Sequence, residues 1–290
     1  MENSIENFKT KNTTKNTDKY IQTSNEVYLY VKDYGEGKPV ILIHGWPMSG
    51  EQWEYQIEDL VKKNYRVIAY DRRGFGKSSK PWNNYDYNTL ADDLHQIIIQ
   101  LDLKDVTLVG FSMGGGEVVR FLSRYKEDRI IKAVLISSVV PFLLKTEDNP
   151  DGNPKENGDE MAKAIRNDRM GFLKTFSENF FGTGMLLEPM SADLLHYYKM
   201  LCSFASPRAT LECATAFSTT DFREEIKNIK VPVLIIHGNS DRIVPLEISS
   251  AKAAKSIPRN ELKVYEDAPH GLFYTHRKEL SKDLLQFLKE

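Results

Sequence analysis

Short apolar runs recurring between helical stretches constrain this 290-residue chain more than any other feature. Residues 40–43 read Val-Ile-Leu-Ile, and a similar signature returns at 66–70, 106–111, 130–137, 231–237 and 262–265. A strand with one face in water alternates polar and apolar side chains, whereas a strand covered on both faces does not. Between most of these runs lie stretches of helical character, at 52–63, 90–101, 113–125 and 247–256. Alternating strand and helix predicts an α/β fold, with a mostly parallel central sheet flanked by helices. Residues 26–34 alternate like an antiparallel strand and end in the turn Gly35-Glu36-Gly37.

The rhythm breaks between about residues 140 and 222. After Pro141, residues 147–159 are rich in Asn, Asp, Gly and Pro and read as an exposed loop. Three helical segments follow, near 160–180, 191–202 and 207–218. With no strand signature, 140–221 reads as a helical cap inserted over the carboxyl edge of the sheet, between core segments 20–139 and 222–290. Its apolar side chains (Phe172, Phe176, Phe180, Phe181, Met185, Leu186, Leu187 and Met190) are expected to line an acyl or aryl pocket and to favour apolar over charged esters. Residues 1–19, rich in Asn, Lys and Thr, read as a flexible polar tail.

With 39 basic and 41 acidic side chains and no basic stripe, nothing directs the chain to nucleic acid or an anionic membrane. No apolar run approaches the roughly 18 residues of a membrane-spanning helix, and the N-terminal stretch lacks the apolar segment of a secretory signal, so the expected location is the cytoplasm. Cys202 and Cys213 belong to no Cys/His cluster and are expected to be buried free thiols. No catalytic metal is expected, because the histidines and cysteines lack ligand-like spacing. Gly76-Lys77-Ser78 is not a phosphate loop, since Asp71 stands where that loop needs glycine; 71–78 reads as a structural turn near the rim of the site.

The chemistry centres on Gly110-Phe111-Ser112-Met113-Gly114-Gly115, which follows an apolar strand and opens a helix. A sharp strand–turn–helix junction presents a serine at the sheet edge, and the flanking glycines remove the Cβ atoms that would clash there. Ser112 is therefore the candidate nucleophile. Of six histidines, His270 sits in a turn after the last strand, where such sheets present catalytic loops, and is the candidate base; His276 is the alternative. His44 is read as shaping its loop and His237 as structural. Asp241, emerging from the strand before the histidine's own, is the candidate acid, with Asp267 and Asp221 as alternatives. Ser112, Asp241 and His270 follow the chain order expected after a Gly-x-Ser-x-Gly turn. For an oxyanion hole, one donor is the backbone N–H of Met113; the other is that of Trp46, in the loop His44-Gly45-Trp46-Pro47.

These segments, together with Asp71-Arg72-Arg73-Gly74-Phe75-Gly76-Lys77-Ser78 and His237-Gly238-Asn239-Ser240-Asp241, resemble the cofactor-free bacterial haloperoxidases of the α/β-hydrolase superfamily, also described as aryl esterases and perhydrolases. The resemblance runs from about Tyr20 to the C-terminus. It implies an esterase whose serine acyl-enzyme is attacked by water, or by hydrogen peroxide to give a peracid, with no cofactor or metal. The small-molecule partners are then an ester and hydrogen peroxide, and a homo-oligomer is left open. The polar tail has no role in that family, and the 147–159 loop is expanded relative to it. Alternatives are a lactone or carbon–carbon hydrolase using the same triad, or a non-catalytic ligand receptor on the same fold. Pro47 restricts the direction of the Trp46 carbonyl, which is read either as a hydrogen-bond acceptor for peroxide or as part of a loop that proline merely stiffens.

Overall fold

The computed structural model describes residues 18–24, 26–125, 129–183 and 190–290. Eight strands form one sheet: β1 (Lys19–Ser24), β2 (Val27–Tyr34), β3 (Lys38–Ile43), β4 (Tyr65–Tyr70), β5 (Val106–Phe111), β6 (Ile130–Ile136), β7 (Val233–Gly238) and β8 (Asn260–Tyr265). Their spatial order is β1-β2-β4-β3-β5-β6-β7-β8. β2 pairs antiparallel with both β1 and β4, and every other pairing is parallel. The helices are α1 (Glu54–Val61), α2 (Tyr87–Gln100), α3 (Met113–Tyr125), α4 (Lys155–Asn167), α5 (Arg169–Phe180), α6 (Ala192–Ser203), α7 (Pro207–Thr219), α8 (Arg223–Ile226), α9 (Ser250–Ser256), α10 (Leu272–Thr275) and α11 (Arg277–Lys289).

Successive side chains of a strand point to opposite faces, so an all-apolar strand feeds two cores. Ile41, Ile43, Leu108 and Ile235 pack with Leu94 and Ile97 of α2 and Val118 and Phe121 of α3. Val40, Leu42, Val109 and Ile236 pack on the other side with Leu60 of α1 and Leu280 and Leu284 of α11. Fully burying one such side chain stabilises the fold by about 1.5–3 kcal/mol, and Ile41→Ala would cost about 2–5 kcal/mol.

The structure departs from the sequence reading in several places. The tail expected over 1–19 lies, up to residue 17, outside the described residues, and Lys19 opens β1. The stretch expected as one helix near 160–180 is two, broken at Asp168, whose carboxylate caps α5 by accepting from the Gly171 N–H at 2.9 Å. Helix α4 begins at Lys155, inside the expected loop. Between β6 and β7 the described residues form α4 to α8 and only isolated bridges. Cys202 and Cys213 are buried and unpaired, as expected, and burial pushes each thiol up to about 12.

Candidate active site

Strands β3 to β8 run in one direction, so the segments that follow β3, β4, β5, β7 and β8 meet at one edge of the sheet. Ser112 stands between β5 and α3 with φ +53°, a left-handed conformation that costs a non-glycine residue strain. Its N–H donates to the Ile136 carbonyl at 2.8 Å and its carbonyl accepts from the Gly115 N–H at 3.0 Å, which holds the turn. A Cβ on Gly110 would lie 2.4 Å from the Gly114 carbonyl oxygen, and one on Gly114 would lie 2.6 Å from that of Ile43. Neither position admits another residue without moving backbone.

His270, in the loop after β8, places Nε2 3.0 Å from Ser112 Oγ and Nδ1 2.6 Å from Asp241 Oδ2. A carboxylate only accepts, so the proton sits on Nδ1 and the lone pair of Nε2 faces the serine hydroxyl. The imidazole is buried and wedged between Phe111 and Phe180, with ring centroids 5.0 and 4.8 Å away. Asp241 Oδ1 accepts from the N–H groups of Ile243 and Val244, each at 2.9 Å. Burial alone would raise its pKa; His270 and His237 beside it prevail and hold the carboxyl well below the usual carboxylate range.

The alternatives weighed from sequence fall elsewhere. Asp267 is exposed, with its N–H on Asn239 Oδ1 at 2.8 Å, and Asp221 pairs with Arg223 at 2.6 Å. His276 lies between α10 and α11 rather than inside the final helix, beside Thr275. His237 is buried; its Nε2 donates to the Val244 carbonyl at 2.8 Å and lies 3.1 Å from Asp241 Oδ2, while Nδ1 accepts from Ser250 Oγ at 2.7 Å.

Among the described residues, neither the Trp46 nor the Met113 N–H donates to a protein acceptor. The aim of the Trp46 N–H follows from the other end of its peptide plane. The Gly45 carbonyl accepts from His44 Nδ1 at 2.7 Å and from the Met48 N–H at 3.1 Å. In a trans peptide the N–H then points the opposite way. His44 Nε2 accepts from the Arg72 N–H at 2.9 Å, which fixes the tautomer, and burial followed by the charge of Arg72 lowers the His44 pKa well below 6.5. Two unpaired amides beside a serine–histidine–aspartate relay can stabilise an oxyanion formed at Ser112.

A family model described as alpha/beta hydrolase fold matches residues 38–277. The chain belongs to the α/β-hydrolase fold family. This α/β hydrolase is 39% identical over 273 residues to a non-heme chloroperoxidase, CPO-A1, of Kitasatospora aureofaciens, covering 92% of the chain and 98% of that protein. It is 38% identical over 273 residues to the bifunctional esterase/perhydrolase DCH of Acinetobacter calcoaceticus, covering 93% and 99%. The crystal structure of a bromoperoxidase from Bacillus anthracis superposes with a TM-score of 0.91 at 46% identity, covering 94% of this chain and all of that one. No helix among the described residues is long and apolar enough to cross a membrane.

Sequence reasoning missed a buried ion pair in this hydrolase. Arg72, in the segment read as a plain structural turn, donates from Nε to Glu117 Oε2 at 2.8 Å and from Nη2 to the His44 carbonyl at 2.8 Å. Glu117 lies one helical turn beyond Met113 in α3 and also accepts from the Tyr70 hydroxyl. The pair therefore links the loop carrying the Trp46 N–H to the helix carrying the Met113 N–H. The signal in the sequence was an arginine two residues past an apolar strand and a glutamate on the apolar start of α3.

A cavity of about 540 Å³ opens onto Ser112 and His270. The expectation that 172–190 would line it is corrected: of the eight apolar residues named there, only Phe176 reaches the cavity among those described, and Met185, Leu186 and Leu187 lie outside the described residues. Phe180 and Phe181 are buried in the core instead. Beside Phe176, the apolar wall includes Trp46, Met161 of α4, Leu211, Ala214 and Phe217 of α7, and Val139, Leu143 and Val244 from the segments after β6 and β7. The Trp46 indole donates to the Thr210 carbonyl at 2.9 Å, which ties the Trp46 loop to α7.

Proposed function

We propose that this hydrolase cleaves carboxylic esters through an acyl-enzyme on Ser112, with His270 as base and Asp241 as the acid that orients it. The observation that carries the reading is the Asp241–His270–Ser112 relay, at 2.6 and 3.0 Å, opening into the cavity beside the two free amides. Ser112 Oγ attacks the ester carbonyl while His270 Nε2 takes its proton. The tetrahedral oxyanion then accepts from the N–H groups of Trp46 and Met113. On collapse the alcohol leaves with the His270 proton. Water, deprotonated by His270, next attacks the acyl-enzyme to release the acid and Ser112.

Hydrogen peroxide in place of water releases a peracid, and likeness to an esterase/perhydrolase and to a non-heme chloroperoxidase supports this second outcome. The Trp46 carbonyl accepts from no donor among the described residues, so it is free to take a hydrogen bond from peroxide. In this reading, 140–221 is the cap that walls the cavity and excludes water. Turnover of p-nitrophenyl acetate by the wild type and its loss in folded Ser112→Ala test the reading together.

A further inference from the structure

Four charged side chains line the cavity: Lys155, Asp159 and Arg166 of α4, and Arg242 after β7. Lys155 and Asp159 are joined by an ion pair of 2.7 Å and cancel each other. Among the described residues, the side chains of Arg166 and Arg242 make no ion pair or hydrogen bond to any group of the protein. They come from separate segments, so no single helix's surface pattern brings them together. Arg166 also suits the negative C-terminal end of its own helix, but Arg242, next to the proposed catalytic acid, has no such partner. The lining thus holds two net positive charges in a chain whose formal net charge is −2.

The space around them is also open. The first turns of α4 border the cavity through Lys155, Asn157 and Gly158. Gly158 is not forced by packing, since a Cβ there would meet nothing within 4 Å. A glycine inside a helix weakens it relative to alanine, and here it leaves backbone accessible to the cavity contents. The cavity, at about 540 Å³, has room well beyond a short acyl group.

We infer that the ester this enzyme takes carries a carboxylate remote from its scissile bond, held by Arg166 and Arg242. The inference rests on the esterase reading above, names its substrate class, and reverses the preference for apolar over charged esters expected from the sequence, because Arg166 and Arg242 line the cavity. Guanidinium groups match planar carboxylates as paired donors, and these two border the same cavity as Ser112. Both are solvent-exposed, so each contributes modestly: roughly 1.5- to 5-fold in kcat/KM at low salt, and roughly 2- to 30-fold together.

The test compares methyl half-esters of linear dicarboxylic acids with the dimethyl esters of the same acids. The wild type is expected to show a half-ester to diester kcat/KM ratio above one, falling as sodium chloride is raised, because exposed pairs are screened. The ratio should fall in Arg166→Gln and in Arg242→Gln, and furthest in the double variant. Lys163→Gln, an exposed α4 position outside the cavity lining, serves as the control for overall charge and should leave the ratio unchanged. A ratio at or below one, no change in the double variant, or an equal fall in Lys163→Gln would overturn the inference while leaving the esterase standing. A phosphonate-terminated methyl ester cleaved faster than its carboxylate counterpart would overturn the carboxylate assignment. Turnover of neither half-ester nor diester would remove the esterase reading itself.

Discussion

Breaking the Arg72–Glu117 pair tests whether it does more than hold the fold, by also aiming the proposed oxyanion donor of Trp46. Both side chains are almost wholly buried, at 1% and 0% exposure. Glu117→Gln alone leaves a guanidinium in the core without its counter-charge, and removing one partner of such a pair costs about 3–5 kcal/mol. Replacing the charged group on both sides with apolar side chains of similar volume is often neutral or stabilising, by as much as roughly 4 kcal/mol. The informative variant is therefore Arg72→Met with Glu117→Met and Tyr70→Phe, since Tyr70 would otherwise keep a buried hydroxyl without its acceptor. One unsatisfied group then remains, the His44 carbonyl that Arg72 Nη2 had held, at about 1–3 kcal/mol. Stability should return to within a few kcal/mol of wild type in urea melts. Activity should not, because the loop that aims the Trp46 N–H has lost its tether to α3. Loss of one oxyanion donor costs about 10²–10³ in kcat, and a loosened donor should cost roughly 10- to 100-fold, with KM little changed. Affinity for a phosphonate transition-state analogue should fall in parallel. Recovery of both stability and kcat would show that the pair serves only the fold.

Three further outcomes follow from the site. Asp241→Asn should lower kcat on the order of 10⁴-fold by losing the His270 tautomer, whereas exposed Asp267→Asn should cost far less; the reverse ranking in p-nitrophenyl acetate assays would reassign the acid. His44 is held neutral in the fold with its pKa lowered well below 6.5. Its contribution to stability is therefore fully present above pH 6.5 and lost as pH falls below it, at about 1.4 kcal/mol per pH unit until the folded value is reached. Urea melts at pH 7.5 and pH 5.5 (both about one unit from the His midpoint) should show that slope in wild type and its reduction in His44→Gln; equal slopes would exclude His44 as the source. For peroxide, Pro47→Leu should lower peracid formation relative to hydrolysis of one acetate ester by roughly two- to twelvefold, the worth of one net hydrogen bond; a ratio unchanged from wild type would leave proline as a stiffener only.

The elements that position the site were legible because their signals are local. An all-apolar run reports a strand covered on both faces, and Gly110-Phe111-Ser112-Met113-Gly114 reports a turn that no bulkier flanking residues could make. What was lost depends on contacts distant in sequence. The bond from the Trp46 indole to the Thr210 carbonyl spans 164 residues, and Arg72 meets Glu117 across 45. The cavity wall was misassigned for the same reason: Phe172, Phe180 and Phe181 are as apolar as Leu211 and Phe217, and only the packing of α5 and α7 decides which face the cavity. Asp168 gave a readable signal, an acidic cap inside a helical stretch, which the apolar pattern on either side outweighed.

Trapping the acyl-enzyme tests the central claim most directly. Wild-type protein mixed with a p-nitrophenyl ester and quenched in acid should gain the mass of one acyl group, mapped by peptide mass spectrometry to Ser112. Ser112→Ala, shown to be folded, should gain none and should lose on the order of 10⁴-fold or more of kcat. An acyl group on another residue, or turnover above about a tenth of wild type in folded Ser112→Ala, where loss of any triad member should leave far less, would contradict the assignment.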